Sequence, residues 1–344
     1  MKTKLLVFLF LSIVLAGFQI AGDSLFEVPK GWPKPRYDFS KKPLSKETVE
    51  LGRALFYDQI LSRNNSVSCA SCHSQYTAFT HVDHALSHGI DDRIGKRNSP
   101  ALMNLAWQSL FMWDGAVNHI EAQALAPISN PLEMDENISS VVKKLSSTRL
   151  YQNLFYKAFG DSVITGERTL KAISQFMLTL VSSNSKYDSV MRKEASFSDQ
   201  ENRGYSLFKK HCSSCHTEPL FTNDRFENNG LPLDTTLMDK GRYAITQNAK
   251  DSLLFKVPTL RNIEFSYPYM HDGRLKKLSE VLKHYSNGIT QGPTLSKELL
   301  NPIKITSEER VDIIAFLLTL TDKTFLFDKR FSYPKIFFSY PAKD

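Results

Sequence analysis

The sequence predicts a mainly α-helical protein made of two related halves joined by long loops, and three observations carry that expectation. First, cysteine occurs only four times, in two pairs of identical spacing: CASCH at residues 69–73 and CSSCH at residues 212–216. Second, the stretches around the pairs repeat. Gly52, Leu55 and Phe56 match Gly204, Leu207 and Phe208, although the spacing to the cysteines differs by a loop, and Phe79-Thr80 matches Phe221-Thr222. KRNSPALMN is echoed by TLRNIEF, and MWDG at Met112 by MHDG at Met270. Third, long runs of period two are absent while helix signals are present. Ser198 with Glu201, and Thr306 with Glu309, have capping-box spacing, and VDIIAFLLTL behind Thr306 reads as a strong terminal helix.

A chain of 344 residues with 42% hydrophobic residues can bury two modest cores. Its first residues place Lys2 and Lys4 before an apolar run, residues 5–14, and small residues at Ala16, Gly17, Ala21 and Gly22. That is the layout of a secretory signal, here residues 1–22. No cysteine follows the apolar run, which argues against a lipoprotein anchor, and the short core with a small-residue end favours cleavage over retention as a membrane anchor. The mature protein is therefore expected to be soluble and periplasmic. Without Lys2 and Lys4 the formal charge falls from +7 to +5, which favours an acidic partner. The basic residues are scattered rather than clustered, which disfavours nucleic acid.

An oxidising compartment makes two disulfides the plainer reading of four cysteines. That reading leaves unexplained why a histidine follows each pair. C-x-x-C-H is the attachment signature of c-type haem: two thiols one helical turn apart add to the two vinyl groups of a porphyrin, and the adjacent imidazole reaches the iron. Zinc competes poorly, because each isolated set of Cys, Cys and His lacks a fourth ligand. The expectation is two covalently bound haem c groups, on Cys69, Cys72 and His73 and on Cys212, Cys215 and His216. The halves are then cytochrome c-like haem domains, residues 23–185 and 186–320, followed by an aromatic-rich tail, residues 321–344. The polar segment 182–198 links the halves, and the tail aromatics are expected to pack on the body.

The second axial position of each iron decides function. Aligning Trp113 with His271 makes the two Asp-Gly steps coincide, and fourteen residues further on the second half has Tyr285 where the first has Pro127. A phenolate oxygen can ligate iron and proline cannot. On this argument the second haem takes His216 and Tyr285, with His284 the alternative ligand, and the first haem is open to a small substrate.

These residues resemble the bacterial di-haem cytochrome c peroxidase family, and within it the MauG-type branch. The resemblance runs over about residues 45–320 and rests on the two CxxCH sites, RNSP at Arg97, WDG at Trp113, EAQALAP at Glu121, PLEM at Pro131, VPTLRN at Val257 and YPYMHDG at Tyr267. It implies an inter-haem tryptophan at Trp113, a distal-pocket glutamine at Gln123, a distal proline at Pro127 and a catalytic glutamate at Glu133. It also implies one calcium ion held by the Asn98 side chain and the carbonyls of Ser266 and Pro268, and supports Tyr285 as ligand. His88 stands near where some members carry a histidine that blocks the first iron, though ALSHGIDDRIGKRN is more like the branch without one. His81, His84 and His119 read as loop or surface residues, and His271 as a group near the second haem or its propionates. Ala116 replaces an arginine that commonly follows WDG.

The resemblance implies a peroxidase that reduces hydrogen peroxide to water with electrons from an external donor, a small cytochrome c or cupredoxin, through the second haem and Trp113. The alternatives are MauG-type oxidation of a partner protein through a high-valent di-haem state and a non-catalytic di-haem electron carrier. Pro127 and Glu133 argue against the carrier, which needs neither an open face nor an acid beside it. Family members are often homodimers.

Overall fold

The computed structural model describes residues 25–338, so the signal segment and Tyr340 lie outside the described residues. In the first half, α1 (Lys46–Tyr57) and α7 (Gly166–Leu178) pack together, with α2 (Cys69–Cys72), α3 (Ile120–Gln123), α4 (Leu125–Ser129), α5 (Ile138–Ser146) and α6 (Arg149–Phe159) around them. The second half has α8 (Lys186–Met191), α9 (Asp199–His211), α10 (Tyr243–Thr246), α11 (Leu278–Lys283) and α12 (Ser307–Leu318). Among the described residues the paired strands are β1 (Phe226–Glu227) and β2 (Phe255–Lys256), antiparallel and two residues each. Both expected capping boxes form: Ser198 and Glu201 exchange hydrogen bonds of 2.7 and 3.2 Å, as do Thr306 and Glu309.

In α1 the buried residues Thr48, Leu51, Gly52, Leu55 and Phe56 fall at helical spacing and form one stripe. Gly52 lets the backbone of α1 touch that of α7: a Cβ there would lie 1.8 Å from Ala172 O. Gly204 of α9 meets α12 the same way, with a Cβ position 1.9 Å from Asp312 O. One turn beyond each glycine, Phe56 packs on Phe176 with ring centroids 5.2 Å apart, and Phe208 on Phe316 at 5.0 Å. The sequence repeat is thus a repeat of helix crossings.

The loops repeat too. Phe79 and Phe221 have φ of 58° and 54°, Asn104 and Asn262 57° and 54°, and Met112 and Met270 70° and 76°. Matching antiparallel bridges join Phe111 to Val117 and Tyr269 to Leu275.

The connecting segment and the tail tie the halves together. Ser182, Ser185 and Asp188 of the polar connecting segment are buried. Asp188 accepts two hydrogen bonds, 2.9 and 2.8 Å, from the fully buried Arg261, because a buried charge must be paired. The tail then returns to the first half through α13 (Lys323–Leu326) and α14 (Lys335–Phe338), and Phe325, Leu326 and Phe331 join that half's core. Phe325 packs tilted against Phe79 at 5.6 Å, whereas Phe327 stays 62% exposed.

Gly52→Ala and Gly204→Ala should each destabilise the protein by about 1–3 kcal/mol or more, because backbone has to move. Gly292→Ala, with nothing within 4 Å, should stay within about 0.5 kcal/mol. Urea unfolding of the haem-loaded protein reads both; equal midpoints for all three would refute the contact argument.

Candidate functional site

Each cysteine pair is presented by a tight turn closed by its histidine: His73 N donates to Cys69 O and His216 N to Cys212 O, both at 2.9 Å. In the first half, Ser68 begins the single turn of α2, and its N–H donates to Ser71 Oγ at 3.1 Å. In the second, α9 runs straight into the motif, with Cys212 N donating to Phe208 O at 2.8 Å. The left-handed backbone at Phe79 and Phe221 brings a carbonyl onto each imidazole, 2.8 Å from His73 Nδ1 and 3.1 Å from His216 Nδ1. A carbonyl on Nδ1 fixes the tautomer that leaves the lone pair on Nε2. Removal from water lowers both imidazole pKa values, that of His73 to about 4, so both are neutral, as metal ligands must be.

The four cysteines are unpaired, which removes the disulfide reading. Burial pushes the Cys69 and Cys212 thiols up to about 12. Among the described residues no group of three or more His, Cys, Asp or Glu could hold a metal ion.

One cavity is lined by Cys212, Cys215, His216 and Tyr285 and reaches Trp113, Gln123 and His271. Tyr285 faces it because α11 continues into a π-helical turn, His284–Gly288, a widening of the helix frequent at functional sites. The neighbouring His284 does not line the cavity; its Nε2 bonds Asn229 O at 2.9 Å. Burial pushes the Tyr285 phenol up to about 12. Two thiols one turn apart, a neutral imidazole and a phenol within largely apolar walls suit a covalently held haem.

In the first half, Glu133 lies close enough to act electrostatically on the Cys69 and Cys72 thiols. Its Oε1 accepts from Asn130 Nδ2 at 2.7 Å, while burial raises its pKa. The turn that carries it is set by Pro127 in α4, whose carbonyl accepts from Met134 N at 3.2 Å. Gln123, at the end of α3, is buried with Nε2 3.7 Å from Met112 Sδ.

Asn98 joins the halves. Its carbonyl accepts from Trp113 Nε1 at 2.8 Å, its N–H donates to His271 O at 2.7 Å, and its side-chain amide donates to Ala85 O at 2.9 Å. Ser266 and Pro268 line the same cavity as Asn98. His271 stacks on Phe255 at 3.6 Å, and burial lowers its pKa to about 4. His88 is stacked on the exposed His84, 4.1 Å between ring centres, and His84 on His81 at 5.2 Å. His119 is exposed at the start of α3.

Sequence reasoning overlooked Met112 and Met270 as wall residues, although the MWDG and MHDG echo contains both, and it overlooked Asn229. It also noted only the loss of an arginine at Ala116. Arg97 Nη1 reaches Asp114 Oδ2 at 2.6 Å and Arg242 Nη1 reaches Asp114 O at 3.0 Å, so two guanidinium groups from elsewhere converge there.

Two cytochrome c motifs in duplicated helical halves, meeting at a tryptophan, define a di-haem c-type cytochrome. Residues 46–196 match the family described as di-haem cytochrome c peroxidase, and residues 201–321 match cytochrome c. The chain is 37% identical over 305 residues to the methylamine utilization protein MauG of Methylorubrum extorquens, covering 86% of this chain and 83% of that one. It is 34% identical over 284 residues to the cytochrome c551 peroxidase of Nitrosomonas europaea, covering 81% of each. A solved MauG-like protein associated with microbial copper homeostasis superposes with a TM-score of 0.80 at 33% identity, over 90% of this chain and 99% of that one. The chain belongs to the di-haem cytochrome c peroxidase family. It is a peroxidase-like oxidoreductase carrying two haem c groups.

Proposed function

We propose that this protein reduces hydrogen peroxide at the haem of the first motif, taking two electrons from an external donor through the second haem and Trp113. One peroxide, two electrons and two protons give two waters. The observation that carries this reading is the asymmetry of the duplicated halves. Glu133, an acid with a raised pKa, stands beside the first motif, where the sequence offers Pro127; the second cavity is faced by Tyr285.

Bound haem supplies the iron that holds peroxide and passes electrons. His73 and His216 each present one nitrogen to it. Pro127 offers no donor atom to a haem held at the first motif, which would leave room there for a small substrate. Glu133 takes the proton from the near peroxide oxygen and delivers it to the far one, so the O–O bond breaks with water leaving. Gln123 orients the peroxide, and Trp113 carries charge between the sites. Tyr285 supplies an anionic oxygen that favours ferric over ferrous iron and keeps the second haem at low potential. The Asn98 side chain and the carbonyls of Ser266 and Pro268 would hold one calcium ion where the halves meet. Export to the periplasm follows from the signal-like residues 1–22, and the donor is a small cytochrome c or cupredoxin.

A second reading, oxidation of a partner protein by the same oxidised state, is favoured by Tyr285 and by the 37% identity to a methylamine utilization protein.

Glu133 accepts a proton only when ionised. Its pKa is raised, so peroxidase kcat/KM should fall with decreasing pH along a limb above the usual carboxylate range. Glu133→Gln should abolish that limb and lower the rate about a hundred- to ten-thousand-fold; an unchanged profile would remove Glu133 from the reaction. Paramagnetic resonance of the oxidised protein should show one high-spin and one low-spin haem, and Tyr285→Met should raise the potential of the low-spin one. Two low-spin signals that ignore peroxide until partial reduction would make His88 a ligand and close the first face. Chelation by EGTA should slow electron transfer between the haems, with recovery on adding calcium; indifference to the chelator would exclude the calcium site.

A further inference from the structure

We propose that Lys256 and Asp224, a buried ion pair of the second half, are positioning residues for Trp113: together they clamp residues 108–113 of the first half, so that the indole at the junction of the halves keeps one place. The proposal rests on Trp113 as the carrier of charge between the haems and adds what fixes that residue.

The short ribbon brings the two charges together. Lys256 ends β2 opposite Phe226 of β1, and Asp224 lies two residues before Phe226. Val257 N donates to Arg225 O at 2.9 Å, which carries the pairing past the strands. Thr222 Oγ1 donates to Val257 O at 2.6 Å and accepts from Asp224 N at 3.1 Å, so the turn before β1 is fixed as well. Lys256 Nζ then stands 3.1 Å from Asp224 Oδ1, with the two side chains only 9% and 10% exposed. That buried oxygen has no hydrogen-bond partner, so the ammonium is what compensates its charge.

The side-chain hydrogen bonds of the pair reach the segment that carries Trp113. Lys256 Nζ donates to Gln108 Oε1 at 2.5 Å and to Leu110 O, and it lies 5.7 Å from the ring centre of Phe111. Asp224 Oδ2 accepts from Ser109 N at 2.8 Å and from Ser109 Oγ at 2.5 Å. At the far end Lys256 N donates to Trp113 O at 2.7 Å. One residue of the second half thus grips both ends of the stretch while its partner grips the middle. Arg36, the other cation near Asp224, is 3.8 Å from Oδ2 on a side chain 61% exposed, so it does not replace Lys256.

A buried ion pair is weak evidence for stability, since apolar side chains of the same volume often serve as well. What apolar side chains cannot supply is direction. The ammonium is aimed at oxygens of Gln108 and Leu110, and the carboxylate at Ser109, so the pair sets where this stretch lies against the ribbon. Asn98 O holds the indole N–H of Trp113, and the clamp holds its main chain.

The test uses the full haem-loaded chain. Lys256→Met removes the ammonium at nearly unchanged length but strands Asp224. Lys256→Met combined with Asp224→Asn leaves no unpaired charge, and it decides the matter if the single variant does not fold. Absorbance after a one-electron reducing pulse reads the passage of that electron from one haem to the other. Both clamp variants should slow it by about ten- to a hundredfold, the loss that a displacement of about 1 Å can bring. Amide exchange across residues 108–113 should quicken in both, with the paramagnetic resonance of both haems unchanged. Parent-like transfer in the clamp variants, alongside slowed transfer in Trp113→Phe, would overturn the clamp alone. Slower transfer with altered signals from either haem would make the pair a support of the haem sites instead, and would overturn it too. A Trp113→Phe variant with parent-like transfer would overturn the role of Trp113 and this proposal with it.

Discussion

The contact on which each half depends is a helix crossing so close that one partner can carry no Cβ. At Gly52 and Gly204 the backbone of one helix lies against a carbonyl of the other, and the phenylalanine one turn later is brought into the facing helix. That phenylalanine packs in turn on Phe79 or Phe221, at 6.0 and 5.5 Å. Each buried ring is worth about 2–3 kcal/mol. The same residue, Phe79 or Phe221, turns its carbonyl onto the histidine of its motif. A missing methyl group in a helix therefore reaches the orientation of an iron ligand through only two side chains.

On this shared scaffold the halves diverge in a few side chains. The MxDG turn has the same backbone hand in both, but the residue after methionine is an indole in one and an imidazole in the other. Asn98 binds the main chain or ring of each, so the two turns are fixed to one residue. An amide also stands beside each methionine sulfur, Gln123 by Met112 and Asn229 by Met270, from unrelated places in the chain. The site's asymmetry then reduces to what lies further on: an acid near the first motif and a phenol at the wall of the second cavity.

What the sequence made legible was local or repeated. Cysteine spacing, the glycine and phenylalanine echoes and both capping boxes lie within a turn or two of their partners, and the helical class followed from them. Aligning the Asp-Gly steps pointed to Tyr285 with His284 as the alternative, and the π turn splits those two side chains between the cavity and Asn229. Contacts between distant segments left no such trace. Asn229 lies 55 residues from His284 in a stretch that reads as a plain turn. The connecting segment read only as a polar link, whereas Asp188 is buried because Arg261, 73 residues away, neutralises it. Resemblance identified the two halves; it did not identify what locks them together.

That lock bears on electron transfer. Asn104 N bonds Leu180 O in the first half and Asn262 N bonds Leu320 O in the second, which places the connecting segment and the start of the tail in equivalent positions. The two meet where Asp322 Oδ2 accepts from Ser182 Oγ and from the N–H groups of Ser183 and Asn184, at 2.9 to 3.1 Å. Asn262 Nδ2 adds a bond to Ser182 Oγ at 2.9 Å. Every partner in this cluster except Ser183 and Asn184 is fully or almost fully buried, so opening it would strand polar groups away from water. Beyond it the tail inserts Phe325 and Phe331 into the first core. The first half therefore cannot complete its core until the second has been made and folded back. Such interlocking costs folding speed, since the contacts are remote in sequence. In return it holds the two halves, each with its haem motif, at a fixed separation, which a flexible linker could not do.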